Sequence, residues 1–274
     1  MSVYHKEDPR HFDLALESNL VNQTIIPDEF VLVCDGPLND ALDKVINKYE
    51  KISGERIKVV RLEKNCGIAT ALNKGIALCS YEYIARSDSD DVCEKTRFEK
   101  ELDFLIGHSE VAAVGSDIDE FMYDVNEPVR VKQMPRTSGE LYKMAKRRNP
   151  INHMTVMYRR SVVLEMNGYD ITLPPVEDYD LWIRMLLGGY QIANINEILV
   201  HVRIGNGMVD RRGNKKYIET WRRLNRYMRE KKMISAPRYA VNMISIRAFV
   251  YMRSGMRDYV YYKILRKKHN GIYE

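Results

Sequence analysis

Long hydrophobic runs are missing from this 274-residue chain: no stretch approaches about 18 uncharged apolar residues, so no segment reads as membrane-spanning. Cysteine is scarce. Cys34, Cys66, Cys79 and Cys93 form no C-x-x-C pair and have no histidines at zinc spacing, which excludes a zinc-ribbon core. No charged-then-apolar leader opens the sequence, and the expectation is a reducing cytoplasm in which the thiols serve as small core residues. Fifteen glycines and nine prolines are too few for a collagen-like or low-complexity chain. What is present is 45% hydrophobic and 30% charged residues, enough for a full core in one large domain or two small ones.

The formal net charge of +5 is unevenly spread. Residues 205–274 hold 18 Lys and Arg against 5 Asp and Glu, whereas residues 1–204 hold 25 against 33. An acidic body of 1–204 followed by a basic tail of 205–274 predicts that the tail meets something anionic: a membrane surface, the acidic body itself, or nucleic acid. Nucleic acid is the least favoured, because the tail carries no recognised nucleic-acid motif. Its apolar stripes, such as Trp221, Leu224 and Met228, predict two or three basic amphipathic helices after the Gly205-Asn206-Gly207 break.

In the first half, short apolar runs alternate with helical spacing. Phe30 to Cys34 runs into Asp35-Gly36-Pro37, Ile57 to Leu62 alternates, and Tyr83-Ile84-Ala85 leads into Asp88-Ser89-Asp90-Asp91. Helical patterns lie between them, with Phe12, Leu16 and Leu20 before the first run and Phe98, Leu102, Leu105 and Ile106 after the acidic cluster. This alternation predicts an α/β architecture with a mostly parallel sheet covered by helices on both faces. After Val111-Ala112-Ala113-Val114 the pattern gives mixed pieces, among them a strand near Thr155–Tyr158 and a helix containing Tyr179, Trp182, Ile183 and Leu186.

The acidic cluster carries the sharpest chemistry. Asp88 and Asp90 stand where a strand gives way to a loop, at the sheet edge where ligands bind. Two carboxylates separated by one residue can share a hard cation, Mg²⁺ or Mn²⁺, leaving other positions for water and a diphosphate. A solvated turn or helix cap is the competing reading.

Several motifs fall in a fixed order: Tyr4-His5-Lys6-Glu7, Cys34-Asp35-Gly36, Asn65-Cys66-Gly67 with Ala71-Leu72-Asn73, Asp88-Ser89-Asp90-Asp91, Asn149 to His153, Gly168-Tyr169 and Glu177-Asp178-Tyr179-Asp180. The series, over about residues 1–204, resembles glycosyltransferase family 2, the inverting, nucleotide-sugar-dependent enzymes of GT-A fold. The resemblance implies uracil recognition by Tyr4 and Asp35, a donor contact at Asn65, ribose and diphosphate at Asp88, and a divalent metal, Mn²⁺ or Mg²⁺, at Asp90 with Asp88. It also implies Asp178 as the general base that deprotonates the acceptor hydroxyl. Glu177, His153 and Trp182 are acceptor-side candidates, although His153 and Trp182 also read as structural residues and Glu177-Asp178 also suit a helix N-terminus.

Some features depart from the family. Only Met1, Ser2 and Val3 precede Tyr4 where the family has a longer apolar strand, which is expected to weaken donor binding. Leu72 replaces a customary arginine, for which Lys64 or Arg86 are substitutes, and His201 is a loose metal-ligand candidate. The absence of Q-x-x-R-W after Asp178 favours addition of one sugar over processive polymerisation. The resemblance therefore implies a peripheral cytoplasmic enzyme using a nucleoside-diphosphate sugar, UDP-linked by preference, and a saccharide or polyprenyl-linked acceptor, in surface polysaccharide assembly. A sugar nucleotidyltransferase is the rival, but Tyr4 to Pro9 lacks the glycine-rich triphosphate loop. A degenerate binding module is a second, opposed by the retained Asp88, Asp90 and Asp178.

Overall fold

The computed structural model describes residues 1–205, 215–253, 255–256 and 267–268. Three strands, β1 (Ser2–Val3), β2 (Phe30–Cys34) and β3 (Ile57–Arg61), form a parallel sheet in that order. Every residue of β2 is buried because helices cover both faces. Leu32 and Cys34 pack with Phe12 and Leu16 of α1 (Pro9–Leu20) and with Leu42 and Ile46 of α2 (Asp40–Ser53). Val31 and Val33 point the other way, onto Ala71 of α3 (Ile68–Leu78). Alternation along one strand thus builds two half-cores.

The rest of the sheet structure is mixed. It comprises β4 (Tyr83–Ala85), β5 (Val92–Cys93), β6 (Val111–Phe121), β7 (Arg130–Lys132), β8 (Met157–Arg159), β9 (Gln191–Arg203) and β10 (Lys267–Lys268). Only β6 and β9 pair in parallel; β4–β8, β6–β8, β6–β7, β5–β9 and β7–β10 are antiparallel. The expected mostly parallel sheet is therefore confined to β1–β3 and the β6–β9 pair. The cause is connection length: after β6 the chain returns to β7 through a loop too short for the crossover that a parallel pair requires. Residues of β2 and β4 also line a cavity of about 420 Å³ between the two sheets.

Helix α4 (Arg97–Gly107) departs from its expected apolar stripe. Its buried face is Arg97, Phe98, Glu101 and Leu105, while Ile106 is 61% exposed. Arg97 is fully buried, with Nε 3.2 Å from both Glu101 oxygens, Nη2 donating to the Arg86 carbonyl at 2.7 Å and Nη1 donating to Ser87 Oγ at 3.0 Å. Burial pushes the Glu101 carboxyl up to about 7 even though Arg97 opposes it. The pair braces the chain where β4 becomes the acidic loop. Cys34 and Cys93 are buried core residues as expected, but Cys66 is exposed.

Helices α5 (Ser138–Ala145), α6 (Arg160–Glu165) and α7 (Glu177–Leu187) follow, then α8 (Lys215–Glu230) and α9 (Ala236–Tyr251). Thr137 and Glu140 close α5 with a capping box. Leu224, Met228, Met233 and Ile234 of the C-terminal segment lie in one apolar cluster with Leu181, Trp182 and Ile183 of α7. The Leu224–Met228 stripe thus faces inward as its spacing predicts, while Arg223, Arg226, Arg229, Lys231 and Lys232 are exposed. Most of the basic tail beyond residue 253, and residues 206–214, lie outside the described residues. Among the described residues no helix is long and apolar enough to cross a membrane.

Candidate active site

The acidic loop leaves β4 at Arg86. This arginine is buried and grips Asp88 with two hydrogen bonds, Nη1 to Oδ2 at 2.7 Å and Nη2 to Oδ1 at 2.5 Å. Burial alone would favour the neutral guanidine, but Asp88, with Tyr169 and Asp91, outweighs it and the guanidinium stays charged. Three residues beyond Asp88, Asp91 is buried and accepts from the Arg203 backbone N–H at 2.9 Å. Its carboxyl is held well above the ordinary range by burial, then by the charges of Asp90 and Asp88. Arg203 Nε also donates to the Asp90 carbonyl, at 3.3 Å. From the opposite side Ser89 Oγ donates to Glu7 Oε2 at 2.7 Å, tying the loop to the segment after β1. Glu7, Arg203 and Arg86's grip on Asp88 are contacts across 80 residues or more or within a turn, and the sequence carries no periodic signal for them.

Beyond β2, Asp35 is almost fully buried. Its Oδ1 accepts from the Cys66 N–H at 2.7 Å and its Oδ2 from the Gly67 N–H at 3.0 Å, while Asn65 Nδ2 donates to its carbonyl at 3.3 Å. A carboxylate from one strand end thereby shapes the entry to α3. Gly36, at φ +92°, allows this close approach, since a Cβ there would meet Asn65 N at 2.7 Å. Asp35 and Asn65, predicted together as donor residues, are indeed neighbours. Tyr4 lies at the end of β1, with 39% of its surface exposed and its ring edge against His5.

Glu177 and Asp178 open α7. Asn149 Nδ2 donates to Asp178 Oδ2 at 2.6 Å and the Tyr179 N–H to Oδ1 at 2.7 Å, fixing the carboxylate plane. Glu177 is buried and its Oε2 has no hydrogen-bond partner. Burial, then the neighbouring Asp178 charge, push the Glu177 carboxyl up to about 7. Arg86 counters this shift, and Asp88 adds to it only slightly.

His153 stands on a short 3₁₀ turn, His153–Thr155, its Nε2 3.0 Å from Tyr169 Oη. Burial and the Arg86 charge hold its imidazole well below its ordinary range, hence neutral. Trp182, named as an acceptor-side candidate, is fully buried and backs the His153 ring at 6.3 Å between centroids. At full burial it supports His153 and touches no acceptor. Tyr169 itself is pinned by Asn73, whose Nδ2 donates to the Tyr169 carbonyl and whose Oδ1 accepts the Tyr169 N–H, both at 2.8 Å. The Ala71-Leu72-Asn73 motif therefore includes a clamp on the Gly168-Tyr169 loop, a role its sequence does not announce.

Asp88 and Asp90, the expected pair, supply oxygen donors only, which suits a hard divalent cation. Among the described residues no group of three or more His, Cys, Asp or Glu side chains converges into a closed metal cage. The donor set therefore fits a cation completed by water and diphosphate oxygens rather than one held by protein alone. His201 is not placed to help. Its Nδ1 lies 2.8 Å from Asp119 Oδ1 and its Nε2 2.9 Å from Glu94 Oε1. Burial lowers its affinity for protons, but the two carboxylates outweigh that and hold the imidazole above its ordinary range. Both ring nitrogens are committed to carboxylates, which corrects the metal-ligand expectation.

Known proteins resemble this chain in sequence and in fold. The Glycosyl transferase family 2 model matches residues 15–165. A Haemophilus influenzae protein named as an uncharacterized glycosyltransferase is 41% identical over 212 residues, 77% of each chain. The amylovoran biosynthesis glycosyltransferase AmsE of Erwinia amylovora is 37% identical over 80% of each. The UDP-Gal:alpha-D-GlcNAc-diphosphoundecaprenol beta-1,3-galactosyltransferase of Escherichia coli is 31% identical over 97% of this chain and 95% of its own. Among solved structures, S. aureus TarS 1–349 in complex with UDP-GlcNAc superposes with a TM-score of 0.65 at 15% identity, covering 95% of this chain and 74% of that one. The mannosyltransferase PcManGT of Pyrobaculum calidifontis, in complex with GDP-Man and Mn²⁺, gives 0.61 at 12% identity, covering 93% and 70%. The fold is accordingly an α/β fold matching the GT-A glycosyltransferases. With the family model covering more than half of its length and relatives aligned along most of the remainder, the chain belongs to glycosyl transferase family 2.

Proposed function

We propose that this glycosyltransferase transfers one sugar, with inversion, from a UDP-sugar to a saccharide or lipid-linked saccharide acceptor in cell-surface polysaccharide assembly. The observation that carries the reading is a pair of oriented carboxylates, Asp88 gripped by Arg86 and Asp178 fixed by Asn149 and the Tyr179 N–H, in a chain of this family. Asp178, oriented by Asn149 and the Tyr179 N–H, takes the proton of the acceptor hydroxyl as that oxygen attacks the anomeric carbon. A single displacement with one base inverts the anomeric centre. Asp90, with Asp88, would hold Mn²⁺ or Mg²⁺, which when bound neutralises charge on the leaving diphosphate. Tyr4, Asp35 and Asn65 frame the nucleotide side, and neutral His153 faces the acceptor side. The names of the Escherichia coli and amylovoran relatives, and the UDP-GlcNAc and GDP-Man complexes, support donor class and pathway.

In this reading residues 1–204 are the catalytic body and 205–274 an extension whose exposed arginines and lysines hold the enzyme at the anionic cytoplasmic face of a membrane. Removing the charges of Arg223, Arg226 and Arg229 should reduce co-sedimentation with anionic liposomes; unchanged partitioning would refute the attachment. The donor assignment is tested by thermal shift with UDP, GDP, CDP and ATP, with and without Mn²⁺. A Mn²⁺-dependent shift with UDP, lost in Asp90→Asn, is expected, and no shift with any nucleoside diphosphate would overturn the proposal.

A further inference from the structure

Helix α9 is apolar on two sides. Its inner face is buried through Met243, Ile246 and Val250, and Asn242 locks the helix in place, its Nδ2 donating to the Lys146 carbonyl at 2.9 Å and to Asn225 Oδ1 of α8 at 2.8 Å. On the outer side Val241, Ile244, Ala248 and Tyr251 recur at helical spacing and form one stripe down the helix. The stripe is open to solvent: Val241 keeps 49% of its surface, Ile244 66% and Tyr251 67%. Apolar residues scattered singly over a surface need no partner, but a row of them about 15 Å long, at about 1.5 Å per residue, marks an interaction face. With the inner face locked, the helix cannot turn this row inward.

The borders of the stripe are basic. By helical spacing Arg247 flanks one edge and Arg238 the other. Between Glu230 and Asp258 the sequence contains Lys231, Lys232, Arg238, Arg247, Arg253 and Arg257 but no acidic residue. An apolar centre with cations on both edges suits the boundary between acyl chains and anionic headgroups. It does not suit a second copy of the chain, because two such stripes laid face to face would bring their flanking arginines together. We infer that α9 docks flat on an anionic bilayer, with Val241, Ile244, Ala248 and Tyr251 entering the acyl boundary and Arg238 and Arg247 meeting lipid phosphates. The inference rests on the membrane attachment proposed above and adds to it the face and the mode of contact, insertion of an apolar stripe beyond attraction by surface charge. It also sets a distance. Ile246 and Phe249, on other faces of the same helix, line a cavity of about 350 Å³ that Asp178 also lines. A helix is about 10–12 Å across with its side chains, so docking brings the lipid surface to within one helix of that cavity.

The test uses the full chain and vesicles of phosphatidylcholine with and without phosphatidylglycerol, with partitioning read by co-sedimentation. Binding should require phosphatidylglycerol, and at high salt it should fall without vanishing, because salt screens the charges and leaves apolar insertion intact. Val241→Ser and Ile244→Ser should each weaken partitioning about tenfold, as expected for withdrawing one branched aliphatic side chain from the acyl boundary, and Ile244→Leu should bind like the parent. Both residues are exposed, so the thermal midpoint and the Mn²⁺-dependent shift with UDP should stay those of the parent. Parent-level partitioning by the Val241→Ser, Ile244→Ser double variant, or complete loss of binding at high salt, would overturn the inference. A dimer of the parent that the double variant abolishes would also overturn it, by assigning the stripe to a second copy. Removing the charges of Arg223, Arg226 and Arg229 separates the two readings: if that releases the chain from vesicles while the double variant stays bound, only the stripe falls, whereas a parent that never partitions removes the attachment itself.

Discussion

Replacing Glu177 by Gln should make the protein more stable, and increasingly so as pH rises. The Glu177 carboxyl is buried, has one oxygen without a hydrogen-bond partner and sits beside Asp178, which together raise it to about 7 in the folded chain. Unfolded, it returns to its ordinary value of 4.5. Below 4.5 both states hold the proton and the group costs nothing. Between 4.5 and 7 the unfolded chain releases its proton while the folded chain retains it, so stability falls with rising pH; above 7 the loss is complete. At about 1.4 kcal/mol for each pH unit separating the two values, the full penalty is about 3 kcal/mol, of which about 2.5 kcal/mol develops between pH 5 and pH 8. Gln removes the titration and keeps the volume. Any hydrogen-bond shortfall of the amide is the same at both pH values, and Glu101, which titrates in the same direction, is common to both proteins. Urea unfolding of parent and Glu177→Gln at pH 5 and pH 8 therefore isolates the effect. The gap should widen in favour of Gln by about 2.5 kcal/mol; a gap independent of pH would show that Glu177 is already ionised in the fold and refute the reasoning.

Two further substitutions probe the site and its frame. Asp178→Asn preserves the volume and the bond from the Tyr179 N–H, so UDP binding in thermal shift should match the parent while transfer falls by about 10²–10⁴, the usual range for a lost general base; transfer at the parent rate would remove Asp178 from that role. Gly168→Ala puts a Cβ 2.4 Å from Asn73 Oδ1 at a φ of +66°, and should cost about 2–4 kcal/mol in urea unfolding by breaking the Asn73 clamp on Tyr169.

How much of this was legible in the sequence depended on whether the signal was local. The Phe30–Cys34 run announces a strand buried on both faces, and the Phe12-Leu16-Leu20 spacing announces the helix that covers it. Strand direction after Val114 was not legible, because direction is decided by the length of the connections and by which edge remains open. Nor was the buried face of α4, where Arg97 and Glu101 replace apolar residues; a charged pair at i and i+4 reads as solvent-exposed until the Arg86 carbonyl and Ser87 are seen to need a donor. The tail shows the converse. Its charge suggested a surface helix, while its Trp221, Leu224 and Met228 stripe, the weaker signal by count, sets where the helix packs.

The D-x-D pair illustrates why composition locates chemistry better than it divides the work. In sequence, Asp88 and Asp90 are equivalent acids one residue apart. In the fold their environments diverge, because Arg86, just past the end of β4, turns its buried guanidinium onto both oxygens of Asp88. Asp88 thus spends its charge on a fixed internal cation. Asp90 is held through its backbone, its carbonyl accepting from Arg203 Nε. An arginine two residues before the motif therefore gives the first aspartate a fixed internal partner and leaves the second to a different one, a distinction that a short spacing alone does not contain.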